Sequence, residues 1–263
     1  MKKLKAFILI LLCTFTLGNH LKCQELKIDS TKLTKKDSLK AEKHNLYAFS
    51  YKKLIIPSVL IVYGIASLEI DGLKQLNLST RYEISEHQPD KIKLDNYTQY
   101  LPAVMVYGLN WAGIKGKHNL KDRTIIYATS QLIAASMVIP LKHITKEERP
   151  DGSNLQSFPS GHTTTAFSSA QFLYREYRDT NFWLSISGYP IAIFTGVYRT
   201  LNNKHWVGDV VAGAGFGILS TEIAYWLYPK INLWFSKNKK DSAFLIAPFY
   251  QDQAFGLGFV KRF

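Results

Sequence analysis

Six apolar segments, separated by polar connections, dominate the hydrophobic pattern between residues 54 and 228. We place them at Leu54–Ile70, Tyr97–Ile114, Thr124–Leu141, His162–Tyr174, Phe182–Tyr198 and Val207–Tyr228. Tyr and Trp residues lie near the segment ends, as they do at membrane–water interfaces. Small residues recur inside the segments, which favours close helix packing in a membrane. The pattern therefore predicts an all-α, six-helix bundle, and we expect its helices to be transmembrane.

A soluble all-α protein is the alternative interpretation of the same segments. Several segments are shorter than the roughly 20 residues that a span needs, and the mean hydropathy of the chain is −0.08. The polar ends of the chain lower that mean, however. Segments 124–141 and 207–228 are apolar around most of their circumference, so the membrane interpretation is favoured.

The two ends of the chain differ from the central region 54–230, which we predict to be the helical core. Residues 1–23 start with basic residues and continue into a short apolar stretch, which is typical of a signal peptide or an N-terminal anchor. Residues 24–53 are polar and Lys-rich, which indicates a lead-in segment without a core of its own. Residues 241–263 hold two aromatic and aliphatic runs with polar residues between them, which predicts a short accessory β-hairpin.

The net charge of +13 is compatible with nucleic acid, with anionic lipid or with basic cytoplasmic loops. The sequence holds no basic helix and no base-stacking aromatic motif, so we expect no nucleic-acid partner. Its two cysteines, Cys13 and Cys23, stand outside any CxxC motif or Cys/His cluster. Neither a structural zinc site nor a disulfide framework is indicated, and we expect no cofactor.

Three polar stretches beside the apolar segments carry the residue types of a phosphate site. Phosphoryl transfer places charge on the equatorial oxygens, so a site without metal needs fixed cations. Lys142, Arg149 and Arg199 can supply them, the two arginines as planar forks. Ser160 and Gly161 precede an apolar helical segment, where we expect backbone N–H groups and the Ser hydroxyl to face an anion.

Two histidines are available for nucleophilic and proton-transfer chemistry. His205 and Asp209 are four residues apart, which on a helix places them on one face. The carboxylate then holds the Nδ1 proton and leaves Nε2 free to attack phosphorus. His162 lies on another segment, and we expect it to protonate the leaving alkoxide and then to activate water.

With these motifs the sequence resembles the type 2 phosphatidic acid phosphatase family of the acid phosphatase–haloperoxidase superfamily. The family signature is K-x6-RP, PSGH and SR-x5-H-x3-D. The matching residues are Lys142, Arg149, Pro150, Pro159, Ser160, Gly161, His162, Arg199, His205 and Asp209. The resemblance implies a helical core, a covalent phosphohistidine on His205, no metal, and a phosphate cradle that includes Ser160 and Gly161. Tyr198 replaces the family's Ser, so that contact is not carried over.

The same scaffold binds vanadate in haloperoxidases, but those enzymes are larger and soluble, which favours a phosphatase here. We expect a lipid phosphate monoester or diphosphate as substrate: lipid A, an isoprenoid diphosphate, phosphatidate or phosphatidylglycerophosphate. A soluble periplasmic acid phosphatase of broad specificity and a non-catalytic membrane lipid-binding protein are the alternatives. Loop 71–97, with Arg81, His87, Lys91 and Lys93, is either a cover over the site or a solvated connector.

Six spans would place all three motifs on one face of a bacterial-type inner membrane. Lys and Arg are scarcer on that face than on the other, so the active site is expected to be extracytoplasmic, on the periplasmic side. A cleaved signal followed by six spans would place it inside. Three solutions stay open: the N-terminal segment is retained, one segment does not span, or the protein is exported and soluble.

Overall fold

The computed structural model describes Tyr47 and residues 49–87, 93–237, 244–251 and 254–261. The predicted signal segment and most of the lead-in segment therefore lie outside the described residues. The described helices are α1 (Lys52–Ala66), α2 (Asp71–His87), α3 (Asp95–Thr98), α4 (Leu101–Trp111), α5 (Leu120–Thr145), α6 (Gly161–Tyr177), α7 (Phe182–Ile186), α8 (Gly188–Leu201) and α9 (Val207–Lys237). Two strands follow them, β1 (Phe244–Gln251) and β2 (Ala254–Lys261).

The chain separates into two compact units that divide between Trp226 and Leu227. The first unit contains α1 to α8 and most of α9. The second contains the end of α9 and the two strands, which pair antiparallel with Gln251 opposite Ala254. The strands lie in the segment where the sequence predicts a hairpin, whereas the first unit is helical throughout its described elements.

Helix α6 is the central helix of the first unit. Most of its residues are buried, and it packs against α4, α5, α7 and α8. Small side chains allow the close approach to α8, where Ala166 and Ala170 share a cluster with Ala192. Helix α9 comes equally close, since a Cβ atom on Gly217 would lie 2.4 Å from the carbonyl oxygen of Thr164.

Paired charges and polar groups connect the helices at the C-terminal end of α6. Glu176 accepts hydrogen bonds from the backbone N–H of His118 at 3.1 Å and from the Tyr225 hydroxyl at 2.7 Å. Arg175 donates to Glu222 of α9 at 2.7 Å. A buried charge is tolerated only when it is paired and hydrogen-bonded, so these contacts allow α6 and α9 to bury carboxylates between them.

Two described helices, α5 and α9, are long and apolar enough to cross a membrane by length and composition. Helices α1 and α2 qualify only as a pair, and they meet at an angle of 84°. The other predicted spans are too short for the roughly 20 residues required, since α4, α6 and α8 have 11, 17 and 14 residues. Among the described helices, the candidate spans are therefore two, or three with the bent pair, instead of six.

Connection 71–97 contains a 17-residue helix, α2, that the apolar pattern does not reveal. Ile84 is its one buried residue, so it lacks the wide apolar stripe that marks a core helix. One of its contacts is a polar one with the first turn of α9, where Asn77 accepts a hydrogen bond from the backbone N–H of Gly208 at 3.3 Å.

The close contact between α6 and α9 predicts a loss of stability on substitution of Gly217 by Ala. The new methyl group would meet backbone atoms of α6, and such overpacking costs about 1–3 kcal/mol. Gly108→Ala on α4 is the matched control, because a Cβ there has no atom within 4 Å and Ala is favoured over Gly in a helix by roughly 0.5–1 kcal/mol. Thermal unfolding in detergent, followed by circular dichroism, should rank G217A below wild type and G108A at or above it. Equal stability of the two variants would contradict the packing described here.

Candidate active site

The site residues predicted from the three motifs come together at one end of the first unit. Lys142 lies in the last turn of α5, Gly161 begins α6, and Arg199 lies in the last turn of α8. Backbone hydrogen bonds hold the intervening loops together. Asp151 N–H donates to the Asn203 carbonyl at 3.1 Å, and Ser160 N–H donates to the Asp209 carbonyl at 3.0 Å.

His205 and Asp209 are both buried, with 1% of each side chain exposed, and His205 Nδ1 lies 3.5 Å from Asp209 Oδ2. Ser157 is also buried and donates its hydroxyl proton to the same Asp209 oxygen. The Ser157 Oγ atom lies 3.5 Å from His205 Nδ1. The Nδ1 side of the ring therefore faces oxygen atoms, and this arrangement leaves Nε2 as the nitrogen available for attack.

The pair is not formed in the way that the sequence spacing suggests. Helix α9 begins at Val207, so His205 precedes the helix and does not share a helical face with Asp209. Instead, Asp209 lies in the first turn and its Oδ2 accepts the backbone N–H of Trp206 at 2.9 Å. This contact is the returning half of a capping box, and it orients the carboxylate toward the residue just before the helix.

The three predicted cations surround the histidines and differ in their protein partners. Lys142 Nζ donates to the carbonyls of Gln156 and Ser157 at 2.7 and 3.3 Å. Arg199 Nη1 donates to Asp95 Oδ2 at 2.7 Å, in a pair that is almost completely buried. Within the described residues, the buried Nε atoms of Arg149 and Arg199 have no hydrogen-bond partner. Buried donors of this kind are costly unless a ligand accepts from them.

The phosphate contacts expected from Ser160 and Gly161 are only partly compatible with the structure. The expectation that the Ser160 N–H faces an anion is wrong, because that N–H donates to the carbonyl of Asp209. The Ser160 hydroxyl accepts from Thr163 Oγ1 at 2.9 Å, and its own proton can still be donated. Gly161 begins α6, so its N–H belongs to the first turn, where helices favour anions.

Burial and positive charge keep both histidines neutral at physiological pH. Burial, followed by the charges of Lys142 and Arg199, lowers the pKa of His205 well below its usual range. Burial and then Arg199 lower the pKa of His162 to about 4, while Asp95 acts in the opposite direction. A neutral His205 has the free electron pair that a nucleophile needs. A negatively charged ligand would raise the pKa of His162 toward the protonated form.

Three residues outside the sequence predictions contact the predicted site: Ser157, Asp95 and Asn96. Ser157 lies three residues before Ser160, so its position next to the PSGH motif is a usable signal. Asp95 and Asn96 contact Arg199 and His162, but they come from a polar connection far away in the sequence. No local pattern marks them, because their relation to the motifs exists only in the folded chain.

Part of connection 71–97 reaches the site. The guanidinium group of Arg81 on α2 lies 5.9 Å from the ring centre of Trp206. Trp206 is the residue that follows His205. His87 contacts Glu83 of its own helix, Lys93 is exposed, and Lys91 lies outside the described residues. Of the basic residues predicted for the cover, Arg81 is therefore the one that the described part of the chain places near the site, while Asp95 and Asn96 of the same connection contact Arg199 and His162 directly. Within the described residues, no group of three or more His, Cys, Asp or Glu side chains could hold a metal ion.

Known proteins are similar to the part of the chain that holds this site. The model of the PAP2 superfamily matches residues 123–233. The lipid A 1-phosphatase of Porphyromonas gingivalis is 38% identical over 136 residues, which are 51% of this chain and 31% of that protein. The bacitracin transport permease protein BcrC of Bacillus licheniformis is 34% identical over 76 residues, 29% of this chain and 36% of that protein. The chain thus spans about a third of the length of each of these two relatives.

Further similarities extend over more of the chain at lower identity. The lipid A 1-phosphatase of Helicobacter pylori is 25% identical over 182 residues, which cover 67% of this chain and 88% of that protein. The crystal structure of Aquifex aeolicus LpxE aligns with a TM-score of 0.43 at 24% identity, over 57% of this chain and 94% of that one. A PAP2-type phosphatidylglycerolphosphate phosphatase from Bacillus subtilis aligns with a TM-score of 0.40 at 19% identity, over 70% and 98%.

Fold and site together define a helical membrane protein in which three cations surround a buried His–Asp pair. The three motifs have the spacings that the family signature requires, and the family model matches the part of the chain that contains them. Over this region, residues 123–233, the chain is similar to the PAP2 superfamily.

The low pKa of His162 predicts that an oxyanion and a proton bind together. Sulfate keeps its charge throughout the range from about pH 5 to about pH 8, so any proton taken up when it binds goes to the protein. Since bound anion raises the pKa of His162 from about 4, sulfate affinity should increase as pH falls. Isothermal titration in buffers of different ionisation enthalpy measures the protons directly.

His162→Gln is the control for this titration, because it removes the titrating ring. We expect proton uptake in wild type that is largely lost in the variant. Sulfate binding without proton uptake at about pH 6 in wild type would refute the assignment of His162 as the group that responds to the anion.

Proposed function

We propose that this protein is a metal-independent phosphatase that hydrolyses a lipid phosphate monoester or diphosphate through a phosphohistidine on His205. One observation carries the proposal. The buried His205–Asp209 pair lies among three cations, and two of these have buried Nε donors without a protein partner. An oxyanion is the ligand that such donors fit, and the nucleophile is adjacent to it.

In the first half of the reaction, the Nε2 electron pair of His205 attacks phosphorus. The bond from phosphorus to the leaving oxygen breaks, and His162 gives its proton to that oxygen. Asp209 and Ser157 stabilise the Nδ1 proton as the ring becomes positively charged. Lys142, Arg149 and Arg199 stabilise the charge on the equatorial oxygens of the transition state.

In the second half, a water molecule attacks the phosphohistidine. His162, now neutral, accepts a proton from that water. The phosphorus–nitrogen bond breaks, its electron pair returns to Nε2, and inorganic phosphate leaves with the new oxygen. Each histidine is restored to its starting state, so one water molecule is consumed for each phosphate that is released.

Lipid A 1-phosphate is the substrate that we place first. Two of the relatives, from Porphyromonas gingivalis and Helicobacter pylori, are lipid A 1-phosphatases. The other expected substrates are isoprenoid diphosphates, phosphatidate and phosphatidylglycerophosphate. All of them carry phosphate at the headgroup level of a bilayer, which suits a site at the ends of the two candidate spans α5 and α9.

We place the active site on the extracytoplasmic side of the membrane. Lys142 at the end of α5 and Asp209 at the start of α9 put the motifs at one end of both candidate spans. The segments at that end carry fewer Lys and Arg than the segments at the other end. The positive-inside rule then orients the motif end away from the cytoplasm.

Replacement of His205 by Ala should lower phosphate release at least about 1,000-fold, because covalent catalysis needs the ring nitrogen. The matched control is His143→Ala, an exposed histidine at the end of α5 for which we expect unchanged turnover. Rapid quenching of wild type with ³²P-labelled substrate should trap acid-labile phosphate on the protein, and H205A should trap none. Unchanged turnover in H205A would refute the nucleophile and favour a different site.

Phosphate release from a panel of the four lipid classes, measured in mixed micelles, should be fastest with lipid A 1-phosphate. Activity should survive excess chelator, since the cations of the site are side chains. Faster release from an isoprenoid diphosphate or a glycerolipid would support the proposed reaction but contradict lipid A 1-phosphate as the preferred substrate. Absence of release from every member would favour a non-catalytic lipid-binding protein.

A further inference from the structure

The four-residue helix α3 contacts two separate parts of the site, although none of its residues belongs to the three motifs. Asp95 pairs with Arg199 at 2.7 Å, and Asn96 Oδ1 lies 2.9 Å from His162 Nε2. The helix is also held on α8, where the Thr98 and Thr195 hydroxyls are 2.8 Å apart. A single short element therefore contacts both a phosphate-binding cation and the acid–base histidine.

The position of Asn96 follows from the contacts of its neighbours. Asp95 is 1% exposed and paired, and the amide of Gln99 donates to the Asn96 carbonyl at 2.8 Å. These contacts hold the α3 backbone on the site, so the Asn96 side chain leaves the helix in a defined direction. Asn96 itself is exposed, which places the contact with His162 on the solvent side of the imidazole ring.

The chemistry of the imidazole ring makes this contact significant. A neutral imidazole carries one proton, and an acceptor beside one nitrogen decides which nitrogen carries it. With the amide oxygen of Asn96 beside Nε2, the proton lies on Nε2 and Nδ1 is the basic nitrogen. In the protonated ring, the same oxygen accepts from Nε2 while Nδ1–H is free to be donated.

We propose that Asn96 is a positioning residue for His162: its amide oxygen holds the Nε2 proton, so that Nδ1 exchanges a proton with the leaving oxygen and then with water. The inference rests on the proposed phosphatase function. It assigns Asn96 no contact with the phosphate, and it makes Nδ1 the nitrogen of His162 that does the proton transfer.

The charged groups that face His162 come from four sides. Arg199 of α8, Arg149 of the α5–α6 loop and Lys142 of α5 disfavour the protonated ring, whereas Asp95 of α3 favours it. His205 lies close enough to interact with His162 as well. An uncharged acceptor at residue 96 fixes the tautomer without adding a charge, so the ring stays neutral until an anionic substrate arrives.

The test compares wild type with Asn96→Asp and Asn96→Ala. A carboxylate beside Nε2 should raise the pKa of His162 by about one to two pH units, whereas Ala should lower it because the acceptor is lost. Histidine NMR titration of the full-length protein in micelles measures this pKa without any turnover, with His162→Gln for assignment. Turnover measured against pH should show its alkaline limb moving up for N96D and down for N96A.

Asn96→Ala should also lower kcat at least about tenfold while KM changes little, since Asn96 does not touch the phosphate. Thr98→Val is the matched control on α3, because Thr98 contacts Thr195 and not His162. The Asp95–Arg199 pair and the Gln99 contact still hold α3 in place in this variant, so the pKa of His162 should equal that of wild type. An unchanged pKa in both Asn96 variants overturns the inference, even if the wild type releases phosphate. Failure of the wild type to release phosphate from any lipid overturns the proposed function instead, and the pKa of His162 in the two variants still decides whether Asn96 acts on this ring.

Discussion

The carboxylate of Asp209 is the group on which the rest of the site depends. One of its oxygens accepts the Trp206 N–H and the Ser157 hydroxyl and lies 3.5 Å from His205. The carbonyl of the same residue accepts the Ser160 N–H. A buried carboxylate is tolerated only with several donors. The contacts of Oδ2 and of the Asp209 carbonyl bring the start of α9, the loop before α6 and His205 together. Among the described residues, the other carboxylate oxygen, Oδ1, is buried without a hydrogen-bond partner.

Burial and positive charge together determine the protonation state of the two histidines. Three cations, Lys142, Arg149 and Arg199, converge at one end of a largely apolar unit. Arg199 has Asp95 as a counter-charge. Burial, together with the excess positive charge, lowers the pKa of His205 and of His162 and keeps both rings neutral in the resting protein. In the proposed mechanism, an arriving phosphate group supplies the missing negative charge, so that substrate binding itself prepares His162 to act as an acid.

The positions of the apolar segments and of the three motifs were predictable, because both are encoded by residues close together in the sequence. The spacing of His205 and Asp209 predicted a pair correctly, but through the wrong geometry, since α9 begins only at Val207. Helix α2 and the contacts of Asp95 and Asn96 were not predictable. They bury little apolar surface, and their partners lie in distant parts of the chain.

By itself, the sequence determined the helical class, the family resemblance and the chemical types available: three cations, two histidines and a carboxylate. Local patterns suffice for these because helix formation and motif spacing depend on neighbours within a few turns. Tertiary structure alone decided that the Ser160 N–H binds the Asp209 carbonyl instead of an anion, that Ser157 donates to the Asp209 carboxylate, and that Asn96 contacts His162. Such contacts join residues on different elements, and the packing of those elements, made close by Gly217, sets the distances between them.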